Sequence, residues 1–80
     1  MDIKVIGSGC EDCSRLYTLV KECCCELGIK EEVGKVEDLI EIVMLGVMSV
    51  PALMIDGRIV ISGMVPSKEK IKEFLEESRL

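Results

Sequence analysis

The sequence contains no histidine and no tryptophan, and its only aromatic residues are Tyr17 and Phe74. Nucleic-acid binding relies on basic side chains for the phosphates and on aromatic side chains for stacking. Ten basic residues against fifteen acidic ones give a net charge of −5 at pH 7. We therefore expect neither nucleic acid nor an anionic membrane surface as a partner.

A long hydrophobic run is also missing. The longest stretch without a charged residue, Ile42–Ile55, has 14 residues, whereas a helix that spans a bilayer needs about 20. Gly46, Ser49 and Pro51 interrupt this stretch, and the N-terminus lacks the hydrophobic region of a signal peptide. The sequence predicts a cytoplasmic protein without membrane insertion, and its 80 residues correspond to one domain, 1–80.

Hydrophobic periodicity predicts four strands and three helices in the order βαβαββα, an α/β fold with a four-stranded mixed sheet. The two early strands, joined by a helix, imply a right-handed parallel crossover. Asp56-Gly57 between two apolar runs predicts a hairpin, and Ser67 is a suitable N-cap for the last helix. The strands are expected over 2–6, 31–36, 52–55 and 58–61, and the helices over 13–27, over 37–46 and after residue 67.

The apolar positions of the first two helices recur at steps that match the helical repeat. In the first helix they are Cys13, Leu16, Tyr17, Val20, Cys23, Cys24 and Leu27. In the second they are Leu39, Ile40, Val43 and Met44, with Val36 and Val47 on either side.

Five cysteines are present, and two of them form the motif Cys10-Glu11-Asp12-Cys13 at the junction of the first strand and helix. Because cytosolic thiols stay reduced, such a pair is typical of redox chemistry or metal binding. Residues i and i+3 in the first helical turn lie close enough for a disulfide. The helix N-terminus favours a thiolate at Cys10, which would be the attacking sulfur, while Cys13 begins the buried stripe and would be the resolving sulfur.

The residues between the two thiols oppose this activation. Glu11 and Asp12 disfavour a neighbouring thiolate, and the nearest cation in the sequence is Arg15. We therefore expect a Cys10 pKa of about 7–8 and a reducing couple of about −250 mV. Soft-metal binding is the alternative, since two thiolates also suit Cu(I).

Cys23, Cys24 and Cys25 follow one another on the first helix, so their side chains point in different directions. Cys24 lies about 16 Å along the helix from Cys13, which prevents a shared site. We expect small core residues at positions 23 and 24 and a surface thiol at Cys25.

The arrangement of these motifs resembles the thioredoxin-like superfamily, and within it the small, glutaredoxin-sized redox-active disulfide proteins of archaea and bacteria. The resemblance covers nearly the full chain. It rests on the segment from Gly7 to Cys13, on Ser49-Val50-Pro51 before the third strand, on Asp56-Gly57, and on Gly63 before the last helix.

The resemblance implies a thioredoxin-like fold in which Pro51 is cis and lies against the disulfide. Val50 would pair its backbone with a substrate polypeptide, and Gly63 would lie on the same surface. The expected catalytic residues are Cys10 and Cys13; the expected substrate-binding residues are Ser8, Gly9, Ser49, Val50, Pro51 and Gly63. The alternative for Gly63 is a bulge or loop residue, and for Pro51 an ordinary proline at the start of a strand.

The implied activity is that of a protein-disulfide oxidoreductase in electron transport and redox homeostasis, a monomer without metal or other cofactor. Its partners would be disulfide-bearing protein substrates and a reductase or thiol reductant. The motif is neither the Cys-Gly-Pro-Cys of thioredoxins nor the Cys-Pro-Tyr-Cys of glutaredoxins, and Lys4 is the only charge within the first strand after its opening Asp2. The reductant and the use of glutathione are therefore left open.

Two features bear on the alternatives. Heavy-metal-associated domains carry a related Cys-x-x-Cys loop, but their order is βαββαβ and they end on a strand. Met48 and Met64 flank the predicted surface of Pro51 and Gly63. We expect these flexible thioethers to fill core gaps, with a partner-binding groove as the alternative.

Overall fold

All seven predicted elements are present in the computed structural model, which describes residues 1–8 and 11–79. They follow the predicted order, with ends displaced by a few residues from those expected. Their bounds are β1 Ile3–Ile6, α1 Glu11–Leu27, β2 Val33–Val36, α2 Leu39–Met44, β3 Ala52–Ile55, β4 Arg58–Ser62 and α3 Lys68–Arg79.

The four strands form one mixed sheet in the order β2-β1-β3-β4. β1 runs parallel to β2 and antiparallel to β3, which pairs antiparallel with β4. The hairpin turns at Asp56 and Gly57, both of which have positive φ, as this tight turn requires. The sheet thus has the connectivity that the sequence pattern predicted.

The sheet register brings three separate chain segments to one edge. Ile6, the last residue of β1, lies opposite Val36 at the end of β2 and Ala52 at the start of β3. Ala52 in turn lies opposite Ser62 at the end of β4. The residues that follow Ile6 and Ser62 and those that precede Ala52 must therefore meet at this edge.

Helices α1 and α3 pack on one face of the sheet, where the larger core cluster lies. The stripe of α1 is directed inward as predicted, with Cys13, Leu16, Val20, Cys23 and Cys24 buried. Within residues 1–8 and 11–79, no helix is both long and apolar enough to cross a membrane.

The prediction for α2 was right about the helix but wrong about the side that packs on the sheet. Asp38 caps the helix by accepting a hydrogen bond from the Ile40 backbone at 2.9 Å, and only Ile42 is buried. The four apolar residues that predicted the helix are 72–81% exposed: Leu39, Ile40, Val43 and Met44. A helix this short can present one side to the small second core, and Ile42 occupies that side.

The expectation that two methionines fill core gaps was also wrong. Met48 is 96% exposed and Met64 is 57% exposed. Met48 lies in the irregular segment that precedes β3, and Met64 lies in the one that follows β4, at the same edge of the sheet. They are surface residues near the predicted substrate-contact region.

Candidate active site

Gly7 is packed where no side chain fits. A Cβ built on it would lie 2.5 Å from the Cys13 sulfur and 3.3 Å from the Val50 Cβ, and its φ of +144° favours glycine. The Gly7 backbone donates a hydrogen bond to the carbonyl of Val36 at 2.9 Å, which fixes it at the end of β1. The Cys13 sulfur and the Val50 side chain therefore both lie close to the Gly7 backbone.

Cys13 lies in the first turn of α1 and is only 3% exposed. It is disulfide-bonded. Two predicted site residues, Gly9 and Cys10, lie outside the described residues, so the pairing of Cys10 with Cys13 stays a prediction. Ser8 is described and exposed, beside Gly7 at the mouth of the site.

The segment before β3 is held against the end of β4. The Val50-Pro51 peptide bond is cis, as the resemblance implied, and Pro51 is buried. The Gly63 backbone donates a hydrogen bond to the Pro51 carbonyl at 2.8 Å. A Cβ on Gly63, which has a φ of +78°, would lie 3.1 Å from the Cβ of Ser49. The structure thus places Gly63 beside Ser49 and Pro51.

A small cavity of about 260 Å³ opens beside Cys13. One of the residues that line it is a basic side chain, Lys35, which the sequence did not predict as part of the site. Its lining consists of Gly7, Ser8, Glu11, Cys13, Ser14, Lys35 and Glu37. The expected cation, Arg15, is instead paired with Asp12 at 3.5 Å. Lys35 belongs to β2, and the signal for it was the parallel crossover, because parallel strands place their carboxyl ends at the same edge.

Lys35 is held in position by an aromatic ring. Its Nζ lies 5.0 Å from the ring centroid of Tyr17, and the Nζ of Lys21 lies 5.2 Å from the same ring. Such contacts between a cation and a π system are worth about 0.5–1 kcal/mol at exposed sites. Tyr17 therefore orients the cation that accompanies Glu11 and Glu37 around the cavity.

Comparison with known proteins agrees with this geometry. A family model described as a thioredoxin domain matches residues 1–76. The chain belongs to the thioredoxin family. It is 39% identical over 75 residues to a thioredoxin of Methanothermobacter thermautotrophicus, and these residues make up 94% of this chain and 97% of that protein. It is 42% identical over 74 residues to a thioredoxin of Methanocaldococcus jannaschii, which covers 92% of this chain and 85% of that protein.

This thioredoxin-family chain is a thiol–disulfide oxidoreductase. Its order of elements ends on α3, unlike the βαββαβ order of heavy-metal-associated domains. In the described part of the chain, no three His, Cys, Asp or Glu side chains are grouped as metal ligands would be. Neither the fold nor the relatives support the soft-metal alternative.

The remaining cysteines of this thioredoxin-family chain lie where helical geometry predicted. Cys23 and Cys24 are buried, Cys25 is exposed, and all three are free thiols. Burial raises the pKa values of Cys23 and Cys24 above the ordinary thiol value because the thiolate loses hydration. The Cys23 sulfur also contacts the Lys68 carbonyl of α3 at 3.6 Å. These two cysteines are core residues, as expected.

Proposed function

We propose that Cys10 and Cys13 form the redox-active dithiol/disulfide pair of this oxidoreductase and that the reduced pair reduces disulfides of protein substrates. The observation that carries this proposal is the packing of the buried, disulfide-bonded Cys13 against Gly7, the residue that Val50 also adjoins. A cysteine that is 3% exposed is poorly placed to attack an incoming substrate. This favours Cys10 as the attacking thiolate and Cys13 as the resolving thiol.

The proposed reaction has two exchange steps. The Cys10 thiolate attacks one sulfur of the substrate disulfide, the substrate S–S bond breaks, and one substrate thiolate leaves. The Cys13 thiolate then attacks the Cys10 sulfur of the mixed disulfide and releases the second substrate thiolate. The pair loses two electrons and becomes a disulfide, and the substrate gains two electrons and two protons as two thiols.

The proposed substrate-binding residues are Ser8, Gly9, Ser49, Val50, Pro51 and Gly63. Val50 is 43% exposed and its Cβ lies beside Gly7, so a polypeptide bound along it would lie near the reacting pair. Recycling requires a reductase or a thiol reductant. We further propose that residues 1–80 act as one monomeric domain in the cytoplasm, where thiols stay reduced.

Reduction of insulin disulfides by the prereduced protein in a single turnover tests the pair. Cys10→Ser should abolish the reaction, whereas Cys13→Ser should accumulate a mixed disulfide with the substrate that mass spectrometry detects. Cys25→Ser is the matched control, because this exposed free thiol is outside the site, and its rate should equal that of the wild type. Reduction that persists in Cys10→Ser would contradict the proposal.

A further inference from the structure

One side of the molecule exposes an unusual number of apolar side chains. We define the apolar face as Leu39, Ile40, Val43 and Met44 of α2, together with Met48 and Val50 of the loop that follows. Four of these side chains are 72–81% exposed, Met48 is 96% exposed and Val50 is 43% exposed. Large apolar patches on a protein surface mark sites of interaction.

The apolar face continues into the proposed active site. The backbone of Gly46 donates to the Val43 carbonyl at 3.0 Å and that of Val47 to the Ile42 carbonyl at 3.3 Å, which folds the loop onto the end of α2. Val47 and Ile42 are buried in the same core cluster. The loop then leads to Val50, whose Cβ lies beside Gly7, and Gly7 in turn packs against the Cys13 sulfur.

The border of the apolar face is acidic. The segment 36–50 contains Glu37, Asp38 and Glu41 and no basic residue, and all three are exposed. Within the described residues, none of the three takes part in an ion pair. Glu37 also shares the cavity beside Cys13 with Glu11. Asp38 is engaged as the cap of α2 and Glu37 shares its cavity with Lys35. Glu41 has no ion pair or side-chain hydrogen bond among the described residues, so the net negative charge of this segment is available to a cationic partner.

The distribution of charge around the apolar face indicates which kind of partner binds there. A second copy of the chain would bring the same carboxylates together, at a net charge of −5 on each copy, and like charges across an interface are unfavourable. An anionic lipid surface is disfavoured for the same reason. A polypeptide with apolar residues for the face and basic residues for its border would match both properties.

We infer that the apolar face with its acidic border binds the disulfide-bearing substrate, which presents an apolar segment flanked by Lys or Arg next to its reacting cysteine. This inference rests on the proposed function, because the bound segment must be next to a reactive pair. It specifies the substrate class by sequence chemistry: an apolar segment with basic residues on the side that meets the N-terminal end of α2, where the three carboxylates lie.

The test uses short peptides whose cysteine is disulfide-bonded to a fluorescent thiol, and the prereduced full-length protein in single turnovers. One peptide is apolar with lysine ends, the second is apolar with glutamate ends, and the third is polar with lysine ends. The same fluorescent thiol bonded to mercaptoethanol measures the chemistry of the pair without docking. The wild type should cleave the first peptide about tenfold faster than either of the others, equivalent to about 1.4 kcal/mol.

Two variants separate the apolar and the acidic contributions. Ile40→Gln with Met44→Gln removes apolar side chains that are 72% and 81% exposed, so the fold should be retained. It should slow both apolar peptides by about tenfold and leave the mercaptoethanol disulfide unchanged. Glu41→Lys should remove the preference for lysine over glutamate ends. Glu77→Lys, the same charge change on α3 at the opposite face of the sheet, should preserve it.

Equal rates on all three peptides, with normal cleavage of the mercaptoethanol disulfide, would overturn the inference and leave the proposed function intact. No cleavage of any disulfide would overturn both. Sedimentation tests the remaining possibility, that the apolar face binds a second copy of the chain. If the wild type is a dimer, and Ile40→Gln with Met44→Gln dissociates it without changing the peptide rates, the face belongs to a dimer interface and the inference is overturned.

Discussion

At the scale of single residues, the positions of Gly7 and Lys35 next to Cys13 show why these two residues matter for the site. Gly7 has no side chain, and its backbone occupies a position close to both the Cys13 sulfur and the Val50 side chain. Lys35 was not part of the predicted site, but it lines the cavity beside Cys13. Each residue gives a prediction with a closely matched control.

Gly7→Ala should destabilise the protein more than Gly46→Ala. Both glycines have positive φ, so both substitutions strain the backbone, but a Cβ at Gly46 meets nothing within 4 Å, whereas one at Gly7 meets the Cys13 sulfur. The difference between the two free energies of unfolding should be about 1–3 kcal/mol, the typical cost of overpacking. Urea denaturation of the two oxidised variants measures it. Equal losses would show that the close contact at Gly7 is relieved without cost.

Lys35→Met should make the pair react less readily near neutral pH. Removing a nearby cation disfavours a thiolate, so the pH of half-maximal reduction rate should rise by about 0.5–1. Lys21→Met is the control, because Lys21 contacts the same Tyr17 ring but does not line the cavity beside Cys13. Stopped-flow reduction of a small disulfide across a pH series measures both. An identical shift for the two variants would assign the effect to Tyr17 or to net charge.

At the scale of elements, α1 and α3 are joined by charges as well as by the core. Glu26 of α1 forms ion pairs with Lys68 and Lys72 of α3. The hydrogen bonds from these ammonium groups lower the pKa of Glu26 from 4.5 to about 2. The same contact with Glu26 raises the pKa of Lys68. These pairs are on the solvent-accessible rim of the helix interface, so salt should weaken them.

The lowered pKa of Glu26 predicts how acid affects stability. The folded state holds this carboxylate ionised, so its contribution is fully present above about pH 4.5 and is lost as the pH falls toward about 2. Glu26→Gln should therefore lower the free energy of unfolding at pH 6 and flatten its decrease between these two pH values. Glu77→Gln, on the same helix layer but outside any ion pair of the described residues, should leave the slope unchanged. Urea titrations at several pH values measure both.

At the scale of the whole molecule, the two sides of the sheet have different roles. α1 and α3 cover one face with the larger core, and Cys23 and Cys24 belong to it. On the other face, the part of the chain that the structure describes places the short α2 and a smaller core, and this face carries the exposed apolar residues. The first side therefore buries the larger set of apolar side chains, whereas the second carries the apolar face that we infer binds a partner.

This division predicts the reactivity of the three cysteines outside the motif. In the native protein, Cys25 should be alkylated by iodoacetamide at least about 100-fold faster than Cys23 or Cys24, which become accessible only when the chain opens. Burial raises the pKa of both core thiols, so the unfolded chain ionises first and stability should fall as the pH rises above about 8.5. Mass spectrometry of tryptic peptides measures the rates. Equal labelling of Cys24 and Cys25 would contradict this assignment of Cys24 to the core.

Much of the fold was predictable because its signals are local. The period of the apolar residues identified the helices, and Asp56-Gly57 identified the hairpin, since its two residues adopt the positive φ of that turn. Gly28 ends α1 with a positive φ, and the Ile29 backbone donates to the Cys24 carbonyl at 2.8 Å. The face of α2 was not predictable in this way, because its pattern contains Ile42 beside four other apolar positions and only packing selects among them.

The sequence by itself determined the order of elements and the place of the Cys10-x-x-Cys13 motif between a strand and a helix. It also determined the separation of that motif from Cys23, Cys24 and Cys25, because helical rise and rotation depend only on the chain. The tertiary structure alone decided what surrounds Cys13: Gly7 packs against its sulfur, Val50 lies beside Gly7, and Lys35 lines the same cavity. It also decided that the apolar side of α2 is exposed, because Ile42 is the side chain through which that helix packs into the second core.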